Sequence, residues 1–245
     1  MRNIKVILEY DGTDFYGFQY QPGVPTIQGE LEKALSKIFK ERITVYGSGR
    51  TDAGVHALGQ VINFRSHGTI PIDRVCVAMN SLLPPSIAAI SACEVDEHFH
   101  ARYSAKSRLY RYVILNRSVR SAIQGRFCWH VPQQLDLLAM SEAAQCLVGV
   151  HDFAAFAAAD RDEKDSSVRN VMHVSLERQG DNVIFDIRAN AFLRSMVRSI
   201  VGTLVEIGVG KRSVSEMREI LESRDRRAAG KTAPPQGLFL VEVEY

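Results

Sequence analysis

The chain has 245 residues, 46% of them hydrophobic and 24% charged, with a formal net charge of +2. That balance fits one large or two modest globular units and excludes a disordered chain or a mini-protein that needs staples. No apolar run is long enough for a bilayer span, and no signal-type apolar core precedes the first strand-like segment, so the expectation is a soluble, cytoplasmic protein without a membrane partner.

Residues 4–10 (IKVILEY) alternate and are β-branched, which predicts a strand. A turn-rich stretch, 11–24, follows. Ile27, Leu31, Ala34, Leu35 and Ile38 recur at helical spacing, so 27–39 reads as a helix with Thr26 as its cap. A short strand over 43–46, a glycine-rich loop over 47–59 and a strand over 60–65 come next. A helix over 72–83 stops at Pro84-Pro85, and 87–95 reads as a strand. The order is β-α-β-β-α-β.

The second half reads in the same order. Strands are expected over 109–115, 171–178, 183–189 and 238–244, with a hairpin signal in Gln179-Gly180-Asp181-Asn182. Helices are expected over 135–148, 192–207 and 214–223. The fold class is therefore α+β: two ferredoxin-like halves, 1–105 and 106–245, whose antiparallel sheets join into one, with an active-site cleft between them. Segments 160–167 and 224–237 read as mobile loops.

The four cysteines are dispersed, with no CxxC pair, and the histidines lack ligand spacing. Reduced, buried thiols and no metal site are expected. The excess of basic side chains lies after residue 105. Between His98 and Leu135 there is no acid at all, while Arg102, Lys106, Arg108, Arg111, Arg117, Arg120 and Arg126 alternate with tyrosines, phenylalanines and Trp129. Such a stretch suits phosphates and unpaired bases, or it is a strand with one solvated basic face. If a strand runs through it, Arg108 and Tyr110 share a face, and Arg117, Arg120 and Arg126 lie beyond it, free to track a phosphate backbone.

The densest signal is Gly47-Ser48-Gly49-Arg50-Thr51-Asp52-Ala53-Gly54-Val55-His56. It is neither a Walker loop nor a dinucleotide fingerprint. It presents one cation, Arg50, and one carboxylate, Asp52. A lone carboxylate suits nucleophilic or general-base chemistry, or it caps amides in a turn.

GRTDAGVHALGQ at 49–60 resembles the signature of the tRNA pseudouridine synthase A family. Further blocks in the same order carry the resemblance across nearly the whole chain: EYDGT at 9–13 with Gly17-Phe18-Gln19; Phe99-His100-Ala101-Arg102 with Tyr110-Arg111-Tyr112; NAFLRSMVR at 190–198; and Thr232-Ala233-Pro234 with GLFLV at 237–241. The resemblance implies an isomerase without metal or organic cofactor. The enzyme cleaves the glycosidic bond of a uridine in the tRNA anticodon arm, just 3′ of the anticodon (tRNA positions 38–40), turns the base and rejoins it through carbon. It also implies a homodimer.

By the same resemblance Asp52 is the catalytic aspartate, attacking either sugar or base. Arg50 fills the gap left by the flipped nucleotide. Tyr110 lies against the base, Arg198 pairs with the catalytic carboxylate, and Leu238 lines the pocket. Arg108, Arg117 and Arg120 are the expected RNA contacts. The chain departs from the family pattern at Phe18, Ser195, Ser199 and Phe239, none of them assigned chemistry. Two other readings stay open on the residues alone. Tyr110 could be a plain strand aromatic, and Arg198 could share a solvated helix face with Arg194 and Gly202. A non-catalytic RNA-binding module would not need Asp52, and a nucleotide hydrolase would need a phosphate loop or metal-ligand spacing that the sequence lacks.

Overall fold

The structure, a computed structural model, describes residues 1–158 and 166–245. The loop expected over 160–167 lies outside the described residues as far as 165. The chain divides into two compact units, Met1–Lys106 with Phe239–Tyr245, and Ser107–Leu238. The strands are mostly antiparallel, and five α-helices occur among the described residues.

The first unit runs β1 (Arg2–Tyr10), α1 (Ile27–Phe39), β2 (Tyr46–Gly47), β3 (His56–Ser66), α2 (Ile72–Asn80) and β4 (Ile87–Val95). Strand β1 lies between β3 and β4, antiparallel to both, and β2 adds to β3. Alternation on β1 sends Ile4, Val6 and Leu8 to one fully buried face, with Phe64 opposite Ile4 and Ile62 opposite Val6. Leu31 and Leu35 of α1 and Val75 and Met79 of α2 are equally buried. Each such side chain contributes about 1.5–3 kcal/mol. Helix α1 starts where expected, because Thr26 accepts the Gly29 N–H at 3.2 Å.

The strand expected over 43–46 shrinks to Tyr46–Gly47. Ile43 and Val45 are buried, but the Val45 N–H donates to Glu32 Oε1 of α1 (3.0 Å), so a side chain replaces the ladder. Strand β3 starts four residues earlier than periodicity predicts, at His56, and carries a bulge: Leu8 faces Gln60 but Tyr10 faces Ala57.

The second unit runs β5 (Ser107–Leu115), β6 (Trp129–His130), α3 (Leu137–Gln145), β7 (Gly149–Asp152), β8 (Val168–Gln179), β9 (Asn182–Ala189), α4 (Met196–Gly208) and α5 (Glu216–Ser223); β10 (Leu238–Glu244) closes the chain. Its strands order β5-β9-β8-β7, all antiparallel, with β6 parallel to β5. Gly180 takes φ +60 in the expected hairpin, opposing Gln179 to Asn182. The short β6 and β7 leave no periodic signal and were not expected. The last strand, assigned by sequence to the second half, counts from Phe239 onward with the first unit. There Phe239 and Leu240 run parallel to His56 and Ala57 of β3.

Two further expectations are corrected. The helix predicted over 192–207 begins at Met196, because Ser195 adopts a left-handed conformation (φ +58). Phe192 and Leu193 extend the apolar pattern for packing outside the helix. Segment 224–237 is no loose loop. The Gly230 N–H donates to Thr203 Oγ1 (3.0 Å), the Lys231 N–H to Glu206 Oε1 (3.2 Å) and the Ala233 N–H to the Arg198 carbonyl (3.0 Å), all on α4. A Cβ on Gly202 would overlap the Lys231 carbonyl, so glycine is what lets this segment lie against the helix. The cysteines are all free, but only Cys128 is buried, and Cys93 is exposed.

Candidate active site

Loop 47–55 leaves β2 and enters β3 over a buried polar network. Gln60, on β3, accepts the Ser48 hydroxyl at Oε1 (2.7 Å). Its Nε2 donates to the Gly49 carbonyl (2.9 Å) and to the Tyr10 hydroxyl (3.3 Å). The Tyr10 hydroxyl in turn meets Thr51 Oγ1 at 2.8 Å. Main-chain bonds hold the other side: the Phe18 N–H donates to the Thr51 carbonyl (3.0 Å) and the Val55 N–H to the Asp52 carbonyl (3.1 Å). A Cβ on Gly12 would overlap the Val55 carbonyl, so the opening loop can press against this turn only as glycine.

Gly49 and Thr51 are thereby fixed, and Arg50 between them is left exposed. Asp52 follows, half-buried. Burial pushes the Tyr10 phenol up to about 12, with its bonds to Thr51 and Gln60 acting the other way, so it remains protonated at neutral pH. Beside the loop, His56 is 1% exposed. Its Nδ1 accepts the Gly12 N–H (3.1 Å) and lies 3.2 Å from Asp11 Oδ1, and its ring stacks on Phe239 at 4.8 Å.

In the second unit, strand alternation buries Arg108, Tyr110 and Tyr112 on one face of β5. Tyr110 is only 7% exposed and meets the edge of Phe192 at 4.9 Å. Arg108, 8% exposed, donates from Nη1 to the Asn190 carbonyl (2.7 Å). Arg111, on the other face, makes a two-pronged pair with Asp186 (2.9 and 2.7 Å), which raises its pKa. The Tyr112 hydroxyl donates to the Pro234 carbonyl (2.7 Å). Burial drives its pKa above the ordinary phenol range, while the nearby Arg198 cation works in the opposite direction.

Arg198 itself is half-buried, in the first turn of α4, and donates from Nε to the Ala233 carbonyl (2.8 Å). The face it shares with Gly202 is covered by segment 231–233, so the solvated-face reading fails. Arg194, in the irregular stretch before the helix, is exposed and does not belong to that face. Leu238, at the start of β10, is 6% exposed.

The unit thus brings Arg108, Tyr110 and Phe192 together. Arg117 lies past the opposite end of β5, about 30 Å of extended chain from Arg108. There it pairs with Asp181 of the hairpin turn (3.1 Å) and donates to the Val119 carbonyl (2.8 Å). Arg120 stands exposed nearby in sequence, and Arg126 lies in a short 3-10 turn. Sequence reasoning missed Tyr10, Gln60, Thr51 and Phe192. Each lies in a block that carries the family resemblance, at 9–13, 49–60 or 190–198, but spacing alone gave none of them a role. Among the described residues no group of three His, Cys, Asp or Glu side chains is placed to hold a metal ion.

The family model described as tRNA pseudouridine synthase matches residues 6–104 and 143–245. The chain is 50% identical over 245 residues, 100% of both chains, to tRNA pseudouridine synthase A of Brevibacillus brevis. It is 45% identical, again over the full length of both, to the protein of that name from a Thermoanaerobacter species. To the one from Halalkalibacterium halodurans it is 49% identical over 240 residues, 98% of this chain and 91% of the relative. The chain therefore belongs to the tRNA pseudouridine synthase family, isomerases that convert uridine in tRNA to pseudouridine.

Proposed function

We propose that the chain acts on uridines of the tRNA anticodon arm, just 3′ of the anticodon, with Asp52 as the nucleophile. The observation that carries this reading is the braced turn. A single carboxylate sits half-buried in a loop pinned ahead of it at Gly49 and Thr51 and behind it by the Val55 N–H bond to its own carbonyl, while Arg50 is left exposed. Fixed placement is what a nucleophile needs, since misplacement by about 1 Å can cost 100-fold in rate.

In the proposed reaction the bond from the sugar to N1 of uracil breaks while Asp52 holds one fragment covalently. The base turns, C5 bonds to the sugar carbon as the carboxylate is released, C5 gives up its proton to solvent, and N1, freed from the sugar, takes one up. Arg50 occupies the space of the extruded nucleotide. Tyr110 lies against the base: its ring is held by Phe192 and its strand by the Arg108 anchor. Arg198 is the cation for the Asp52 carboxylate, and its Nε bond to the Ala233 carbonyl orients the guanidinium. Leu238 supplies an apolar wall. Arg117 and Arg120 contact phosphates.

We read both units as ferredoxin-like; the order β4-β1-β3 with β2 on β3 supports this for the first. A homodimer follows from the resemblance. Among the described residues no helix is long and apolar enough to cross a membrane. A cytoplasmic site fits four free thiols and a tRNA substrate.

The deciding measurement is tritium release from tRNA labelled at uridine C5, with no metal added. Wild type should release label, and Asp52→Asn should release none while binding tRNA normally. Turnover by Asp52→Asn would overturn the nucleophile, and release only from uridines outside the anticodon arm would overturn the target.

A further inference from the structure

We propose that Tyr46, His100, Arg102 and Tyr103 form a stacking shelf for an unpaired nucleotide of the bound tRNA. All four belong to the first unit. The His100 ring lies 5.0 Å from Tyr46 and 4.5 Å from Tyr103, and the Arg102 guanidinium sits 5.5 Å over the Tyr103 ring. Tyr103 is 76% exposed and Tyr46 43%. Rings so open to water contribute little to folding.

The turn that displays them is nonetheless built from buried parts. Asn63 accepts the Ala101 N–H at Oδ1 (2.9 Å) and donates to Asn3 Oδ1 (2.9 Å). Asn3 donates to the Asp96 and Phe99 carbonyls, each at 2.9 Å. The Tyr245 hydroxyl closes on the Ala101 carbonyl (2.8 Å). Asn3 and Asn63 are 4% and 2% exposed, and Tyr46 pairs with Asn63 in the β2–β3 ladder. Two buried amides therefore set the positions of three surface rings, which is preorganisation for a ligand.

The ligand class follows from the chemistry of the shelf. The Arg102 N–H donates to His100 Nδ1 (3.1 Å), which places the ring proton on Nε2 and leaves a neutral, flat donor. Burial and the Arg102 and Arg65 cations hold the His100 pKa below its usual value, so it stays neutral at physiological pH. Aromatic faces beside guanidinium groups match a base and its phosphate, the combination used for unpaired nucleic acid. Tyr46 also precedes Arg50 by four residues, at most about 14 Å of chain, so the shelf adjoins the base-flipping loop.

The proposal rests on tRNA being the substrate, and its test reads binding, without product. Equilibrium affinity for tRNA is measured for Tyr103→Ala, Tyr103→Phe, Tyr103→Leu and Arg102→Gln. Tyr103→Ala should weaken binding about 5- to 100-fold with an unchanged salt slope, Leu should behave like Ala, and Phe should stay within about twofold of wild type. Arg102→Gln should lower the slope of log affinity against log salt by about 0.7–0.9. Single-turnover rates at saturating tRNA should hold for all four. Wild-type affinity in Tyr103→Ala, or equal affinity for Leu and Phe, would overturn the shelf. So would weakening that tracks a loss of oligomer mass in light scattering, which would mark a contact between copies. Absence of turnover by wild type would instead overturn the functional reading.

Discussion

Loop 47–55 and segment 224–237 both join regular elements through glycine-rich, polar chain, and different parts of the protein hold them. On one side of the first, side chains brace it, as Gln60 and Tyr10 reach up from two strands to the Gly49 carbonyl and the Thr51 hydroxyl, and the Phe18 and Val55 N–H groups hold the other side. The second rests on its own main chain, whose Gly230, Lys231 and Ala233 N–H groups are bonded along α4. A side-chain brace fixes a few points and leaves Arg50 between them exposed. A main-chain docking covers a helix face and locks Arg198 into it. One device suits a group that must meet substrate, and the other a group that must not move.

Substitutions that attack one device and spare the other sharpen this contrast. The largest stability effect is expected from Gly202→Val. It should force 230–233 off α4, cost at least about 3 kcal/mol by overpacking, and open the segment to limited proteolysis. Gln60→Leu should come next. It removes the acceptor of one Ser48 hydroxyl bond and the donor to the Gly49 carbonyl, for about 1–3 kcal/mol in denaturant melts, and it should slow single turnover without making segment 224–237 cleavable. If Gln60→Leu exposes that segment to protease as well, the two regions are not held separately.

Arg198→Met removes a half-buried charged donor and should cost about 1–3 kcal/mol together with most of the activity. Lys should restore the charge but not the forked geometry, so it should recover stability better than rate. Unchanged melting and rate in Arg198→Met would reduce the residue to surface.

Tyr10→Phe tests the first brace by pH. The folded pKa of Tyr10 is raised from 10.0 to about 12, so its stabilising contribution is complete below pH 10 and is lost as pH rises toward 12. That loss amounts to about 3 kcal/mol. Wild type should therefore destabilise across this window more steeply than Tyr10→Phe, in which the residual fall comes from groups such as Tyr112, whose pKa is also raised. Equal slopes would mean that the Tyr10 phenol is not buried in the folded protein.

The smallest stability change, under about 1 kcal/mol, is expected from Arg117, Arg120 and Arg126 all changed to Gln, because the Arg117–Asp181 pair is exposed. Affinity for tRNA and its salt slope should both fall while the saturating single-turnover rate holds. Parallel salt plots of equal intercept would show that the RNA runs elsewhere.

Local rules written into the sequence were enough for the Thr26 cap, the hairpin at 179–182 and the shared face of Arg108 and Tyr110. Each depends on neighbours a few residues apart, where spacing alone determines geometry. The resemblance at 49–60 names Asp52 and Arg50 as candidates, because a glycine-rich turn with fixed residue order is a contiguous feature.

Tertiary structure decided the rest. Val45 leaves the ladder because Glu32, on a helix, takes its N–H. Phe192 and Leu193 continue the apolar spacing but are only half-buried, and the left-handed Ser195 makes the helix start later. Arg198 reads as solvated until a segment some thirty residues later in the chain is laid over Gly202. Gln60 and Tyr10 stand in blocks that carry the resemblance, but nothing local shows what they do, since a polar group in a strand gains meaning only when the carbonyl or hydroxyl it satisfies arrives from another part of the chain. Periodicity reports which side chains are buried; which partners they meet depends on contacts between residues far apart in sequence.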